Sequence, residues 1–460
     1  MDLLSAPRGE LLRLVYELID ENQSLKTQIA ELRSRLSEKG DDGGKKTPPS
    51  FVKPNRKPKE IKQRKKREQN FARGKDIPTQ QVFHSFDVCP DCGSSLGKPA
   101  VSYTRQVIDI IQPQISVTEH VICKRWCFKC QKRVTPKVNL SSLTVGHQRV
   151  GINLTSYIAT LRERLRLPVG VIQLYLSLFC NWHLSKGEII ALLQKVSLLG
   201  KSDYQKIQDQ VLLSTSVCAD ETGHRENGVN GYLWNFSTAA HQYLLYRQSR
   251  GKKIVKEALN LDEDGNGYNG VLVTDFYAAY NEHAGFHQRC WAHLLRDIHE
   301  LKEKAKEENP QDKRTEIWAK KIRAVYDEAN SYHGPDPNLP LGLQAQERIN
   351  QERYFKEKLR EVCLPYLTLE APQSSLCGRI IKFLPELFTF IRFPDVPSTN
   401  NLAERALRHS VVQRKIFGGT RSKKGSETKA ILGSLFGTWK LQGLNPLQQC
   451  RLLLARSPCP

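Results

Sequence analysis

Three acids and two cysteine pairs are the residues whose types and spacing could do chemistry in this 460-residue chain. Asp220 lies with Glu221 inside the strand-like run Ser216 to Tyr246, SVCADETGHRENGVNGYLWNFSTAAHQYLLY. An ionised acid buried without a partner is costly, so Asp220 must be paired, hydrogen-bonded, metal-bound or exposed, and taken alone it reads as a structural acid. Asp275 closes the short apolar run Gly270-Val-Leu-Val-Thr, the way α/β folds present a carboxylate at the C-terminal edge of a strand, though it could also be the N-cap of a following helix. Glu404 sits in STNNLAERALRHSVV, a predicted helix opened by Ser398 or Thr399. There it shares a face with Asn400, Asn401 and Arg408, while Leu402, Ala406 and Leu407 pack; in isolation it is an ordinary surface partner for Arg408. Together, two Asp on adjacent strands and a Glu on a later helix form a candidate site for two Mg²⁺ about 3.5 to 4 Å apart, with Mn²⁺ as a possible substitute.

The cysteine pairs are Cys89-Pro-Asp-Cys92 and Cys127-Phe-Lys-Cys130. Two thiolates three positions apart grip one ion from a tight turn, and a second pair completes a four-thiolate structural Zn²⁺ site with no open position for chemistry. A redox role fits less well, since no βαβ pattern surrounds them. The intervening SYTRQVIDIIQPQISVTEHVICKRW reads as strands, with Cys123 packed, and Lys124, Arg125, Lys129, Lys132 and Arg133 give the module a basic face for DNA.

These groups need a scaffold. A meander is expected, with turns at Glu226-Asn227-Gly228 and Asn230-Gly231 followed by Tyr232, Trp234 and Phe236 on one strand face; alternation turns Glu221 away from Asp220. Residues 147 to about 210 read as helices, the last two resembling a helix-turn-helix with Ser185 as N-cap, although a leucine-rich second helix reads bases poorly. The stretch 300 to 390 is charged and helical in pattern, filling most of the 129 positions between Asp275 and Glu404. Cys290-Trp-Ala-His293 reads as a buried thiol and a hydrogen-bonded His, or, with His287 and His299, as a second metal site. His224 reads as a satisfied hairpin residue. Past Glu404, RKIFGGTRSKKG is a Gly-rich basic loop suited to phosphate.

Composition narrows the partners. A net charge of +22 and a pI near 9.5 point to a polyanion, and no apolar run is long enough to span a bilayer, so the reading is cytoplasmic with no membrane partner. Twelve cysteines are too few and too uneven for a disulfide scaffold. At the N-terminus, Val15, Asn22, Ile29 and Leu36 take heptad position a while Leu11, Leu18, Leu25 and Leu32 take d, which predicts a parallel dimeric coiled coil, or else an amphipathic helix packed on its own chain. A Lys/Arg-rich linker with little to bury follows. The domain reading is therefore 1–38 coiled coil, 39–78 basic disordered linker, 79–140 zinc module, 141–212 helical connector, 213–300 first part of the catalytic core, 301–394 helical insertion, and 395–460 the Glu helix and closing helices. Lys62, Arg64, Lys65, Lys66 and Arg67 of the linker and Arg125 of the zinc module are candidate DNA contacts. So are Asn401, Arg405 and Arg408 near Glu404, and Arg414, Lys415, Arg421, Lys423 and Lys424 in and beside the loop.

DETGHRENGVNGYLW, LVTDFYAAYN, QRCWAHLLRDI and NNLAERALRHSVVQRKIFGGTRS resemble, in this order, the signatures of the insertion-sequence 66 family of bacterial DDE transposases. The resemblance covers most of the chain, including the coiled coil, basic linker and CxxC pairs. It implies an α/β catalytic core of RNase H-like fold, a mixed sheet with helices, in which Asp220, Asp275 and Glu404 are the DDE triad. It further implies hydrolysis of a strand at the transposon end and attack of the freed 3′-hydroxyl on target DNA. Accessory proteins of the same element and a place at the bacterial nucleoid also follow from it, and the heptads predict a homodimer or higher oligomer. Two other readings stand beside it: an inert zinc-finger DNA-binding protein derived from a transposase, and an RNase H-like nuclease.

Overall fold

The computed structural model describes residues 77–109, 113–146, 148–368 and 370–456. The expected coiled coil and nearly all of the basic linker, Lys62 to Arg67 included, lie outside these. The chain divides into two compact units, Met1–Asp109 and Ile110–Pro460.

In the first unit the Cys89 pair occupies a tight turn. Cys89 N donates to Ser94 O at 2.8 Å and Gly93, at φ 71°, donates to Cys89 O. In the second unit the Cys127 pair sits on a hairpin of β1 (Arg125–Cys127) and antiparallel β2 (Lys132–Val134). The expected strands leading into it do not form over 113–124. Val117 and Val121 are largely exposed there, and β-branched residues favour strands only where a sheet face buries them.

The second unit is built on five strands: β3 (Ser216–Glu226), β4 (Val229–Ser237), β5 (Gln242–Arg247), β6 (Val271–Thr274) and β7 (His287–Arg289), in the order β5-β4-β3-β6-β7. β3, β4 and β5 run antiparallel, and β6 and β7 join parallel on the other side. The β3–β4 turn is Asn227-Gly228, both at positive φ, as a two-residue hairpin requires. Asn230-Gly231 makes no second turn. It lies within β4, where a Cβ on Gly231 would come 2.4 Å from the Tyr246 hydroxyl, so glycine is needed for packing.

Helices α1 (Ile152–Glu163), α2 (Val169–Cys180), α3 (Lys186–Leu199) and α4 (Lys201–Leu212) do not stand apart as a connector. Ile158, Ile172, Leu176, Leu193 and Val211 share one core with Val217, Ala219, Trp234 and Phe236 of the sheet. The Ser185 cap of α3 forms a full capping box with Glu188, but Ile189, Leu192, Leu193 and Val196 of that helix are spent in the core.

After β7 the chain leaves the sheet for α6 (Trp291–Glu308), α7 (Arg314–Asn330), α8 (Leu341–Cys363), α9 (Ser374–Phe383) and the single turn α10 (Thr389–Arg392); α5 is the short Lys253–Leu259. These helices bury Trp291, Trp318, Ile322, Phe355, Leu359, Ile380 and Phe388 in a separate core. The chain then returns as α11 (Asn401–Phe417), α12 (Lys423–Leu441) and α13 (Pro446–Ala455). α12 covers the edge of β5: Ser434 Oγ accepts Leu244 N–H at 2.8 Å and Thr438 Oγ1 accepts Gln242 N–H at 3.0 Å. Gly433 and Gly437, where a Cβ would collide with Leu244 and Gln242, allow that approach.

Candidate active site

The parallel register of β3 and β6 pairs Ser216 with Val271, Val217 with Leu272 and Cys218 with Val273. Continued by two residues, it sets Asp220 beside Asp275, just past the end of β6. Alternation along β3 decides which side the acid faces. Val217 and Ala219 enter the core under α1–α4, whereas Cys218 packs with Val271, Val273, Val396 and Ala403, on the side where α11 begins. Asp220 therefore faces α11, the helix of Glu404.

The start of α11 is tied to the sheet by Asn400, which is 1% exposed. Its side-chain amide donates to Ala219 O at 2.7 Å, one residue before Asp220, and its backbone N–H donates to Cys290 Sγ at 3.1 Å. Asn400, and neither Ser398 nor Thr399, is the cap residue, and Glu404 N donates to Asn400 O, closing the first turn. Leu407 is buried and the half-buried Leu402 packs as expected, while the buried Ala403 was not anticipated. Asp275 is held by its neighbours: its Oδ1 accepts Tyr277 N–H at 2.9 Å, and the 1%-exposed Arg289 donates to its backbone carbonyl at 3.0 Å. A 3₁₀ turn capped by Tyr277 follows, so Asp275 is not a helix N-cap.

Electrostatics registers the convergence. Burial, then the charge of Glu221, then those of Asp275 and Glu404 push Asp220 up to about 7, against one opposing backbone hydrogen bond. Glu221 itself is committed elsewhere: Arg250 donates to its Oε1 at 2.6 and 2.8 Å and the Tyr280 hydroxyl to its Oε2 at 2.5 Å. Glu404 Oε1 is buried with no hydrogen-bond partner. The charges of Asp275 and Glu404 both act on Asp220, and carboxylate oxygens are the donors a divalent cation takes, but among the described residues the ligand atoms that close most tightly are those of Cys290, His293 and Glu404.

Other predicted residues take different places. His224 is buried, within 3.3 Å of Thr420 Oγ1 and edge-on to Tyr246, with burial lowering its pKa to about 4. The Gly-rich loop lies on the tip of β3: Thr420 N donates to Arg225 O at 2.9 Å, and a Cβ on Gly419 would meet that oxygen at 2.2 Å. Its close backbone approach thus serves the strand. Arg414 donates to Gly223 O and Thr222 Oγ1. Asn401, Arg405, Arg408 and Lys415 are exposed on α11, as are Arg421, Lys423 and Lys424 after it and Arg125 on β1. Arg250 and Tyr280 had no role in the sequence reading, and Asn400 entered it only as a polar neighbour of Glu404 on the same helix face, not as the tie to β3.

A family model described as "Transposase IS66 family" matches residues 147–428, and one described as "zinc-finger binding domain of transposase IS66" matches residues 87–131. Among curated proteins, the chain is 26% identical over 210 residues to the uncharacterized protein y4qI of Sinorhizobium fredii, covering 41% of this chain and 36% of that protein. It is 26% identical over 179 residues to the uncharacterized protein y4jO of the same organism, covering 38% of this chain and 49% of that one. The matches thus span under half of these relatives' lengths. No helix among the described residues is long and apolar enough to cross a membrane.

Proposed function

The chain belongs to the IS66 transposase family, whose match covers more than half of it, and from that premise we propose that it is a DNA transposase cutting at transposon ends and joining the freed 3′-hydroxyl to target DNA. The reading is supported by the register that sets Asp220 beside Asp275 and by the charges of Asp275 and Glu404 both acting on Asp220. The strand order, three antiparallel strands and then two parallel ones, supports an RNase H-like core.

Asp220, Asp275 and Glu404 would hold divalent cations, Mg²⁺ in the first instance, which when bound activate the attacking oxygen and stabilise the leaving one. The chain's own contribution is placement. Asn400 fixes the start of the Glu404 helix to the strand of Asp220, and Arg289 fixes the backbone at Asp275. Asp220 gives up its proton as the site fills, since its raised pKa comes from burial and neighbouring negative charge. Exposed Arg405 and Arg408, on the Glu404 helix, meet the phosphate backbone. The matched zinc-finger segment carries Cys89, Cys92, Cys127 and Cys130, which would supply the thiolates for a structural Zn²⁺. The N-terminal heptads dimerise the protein, which works in the cytoplasm on transposon-end and target DNA, with accessory proteins of the same element where needed.

The test is Asp220→Asn in a Mg²⁺-dependent assay on DNA carrying the element's ends. The variant is expected to lose both cleavage and joining while keeping DNA binding and zinc content. Retained cleavage would sink the assignment, and cutting without joining by the wild type would mark a nuclease.

A further inference from the structure

Cys290 and His293 are a turn apart at the start of α6, and neither is used in the reading above. The two other histidines considered with them point elsewhere: His287 Nε2 lies 2.8 Å from His283 O, and His299 Nδ1 is 3.8 Å from its helix neighbour Glu303. The third group that closes on the pair comes from α11. One ligand atom each from Cys290, His293 and Glu404 lie within 4.8 Å of one another, and His293 Nε2 is 3.6 Å from Glu404 Oε1.

We propose that Cys290, His293 and Glu404 form a second metal site, taking a borderline-soft divalent cation of the zinc type and sharing Glu404 with the acid cluster. Ligand atoms on tetrahedral zinc stand about 3.3 to 3.8 Å apart, so the group needs only a slight closing. A sulfur, an imidazole nitrogen and a carboxylate oxygen suit zinc; magnesium prefers six oxygens. Three protein ligands leave a fourth position open, unlike the closed four-cysteine set. The framework is stiff. Cys290 is fully buried at the N-cap of α6, its sulfur accepts the Asn400 backbone N–H at 3.1 Å, and Glu404 Oε1 has no hydrogen-bond partner. On binding, the Cys290 thiol loses its proton to solvent and the sulfur lone pair goes to the ion.

One consequence rests on the transposase reading: zinc held here withdraws Glu404 from Asp220 and Asp275, so micromolar Zn²⁺ should inhibit magnesium-dependent cleavage. The site itself does not rest on that reading and is tested by metal content. Full-length wild type, Cys290→Ser and His293→Gln are equilibrated in one zinc buffer, and bound zinc is counted by elemental analysis, with urea unfolding to verify folding. Each variant should hold one equivalent less than wild type, whatever the zinc-finger segment binds; equal counts in folded variants would overturn the site. Should Cys290→Ser fail to fold, His293→Gln decides alone, since its side chain is part-exposed. Asp220→Asn keeps the full zinc count whether or not it cleaves, which separates failure of this site from failure of the transposase assignment.

Discussion

Asp220 makes the magnesium-free protein sensitive to pH in a direction opposite to that of a salt-bridged acid. Its folded pKa of about 7 stands above the ordinary 3.8 because the site is buried and negatively charged. The fold therefore favours the protonated form. Below the unfolded value both states are protonated and Asp220 costs nothing; as pH climbs from about 4 to 7 the cost grows, and above 7 it is constant. A gap of about three pKa units at ~1.4 kcal/mol each sets the full cost at up to about 4 kcal/mol. Asp220→Asn mimics the protonated acid, so without magnesium, zinc being retained, it should be more stable than wild type by up to about 4 kcal/mol at pH 8, and by under about 1 kcal/mol near pH 4. Urea unfolding at stepped pH values measures this. Added Mg²⁺ should stabilise the wild type at pH 8 and the variant much less, because ligand binding stabilises only the state that binds. A wild-type-to-variant difference that stays flat with pH, or a variant less stable at pH 8, would refute the claim that three acids crowd one another here.

Three further substitutions probe the supports. Lys429→Met strands Glu163, its partner at 3.2 Å with both side chains at most 5% exposed, and should cost about 3 to 5 kcal/mol in urea unfolding; adding Glu163→Met should recover most of the loss. Ser434→Ala removes the acceptor of the buried Leu244 N–H and should cost about 1 to 3 kcal/mol by the same measure. Asn400→Ala releases the start of the Glu404 helix from Ala219 O, so strand cleavage should fall by more than the roughly 1 to 2 kcal/mol lost in stability, with DNA binding retained in gel shifts.

Where a feature rests on local chemistry, the sequence exposes it. Asn227-Gly228 announces the hairpin, Ser185 with Glu188 announces the start of α3, and alternation along β3 separates Asp220 from Glu221. Features set by distant partners are hidden. The strand glycine Gly231 reads as a turn because its reason is Tyr246 on a neighbouring strand, and Gly419 reads as a phosphate cradle because its reason is the Arg225 carbonyl. The cap of α11 is misread by one or two residues because Asn400 spends its side chain on β3. The charged surface of the 301–394 stretch conceals a core of Trp318, Phe355 and Phe388.

That hidden core bears on how two acids 129 positions apart can share a site. A structureless connection of such length would bring Glu404 back only at a loop-closure cost, and to no fixed place. Here the insertion leaves and returns at one spot. Gln288 Nε2 donates to Leu387 O, Phe390 N donates to Gln288 Oε1, Thr389 Oγ1 donates to His287 O, and Trp291 N donates to Ser398 O. The chain is thereby handed back beside β7 with few residues left before Asn400 and Glu404. The position of Glu404 is then a property of the insertion's packing as much as of α11. Truncating Phe388, fully buried against Trp291 and Phe355, should loosen the return point and lower strand cleavage although it touches none of the three acids, because the helix carrying Glu404 is placed by what that core holds still.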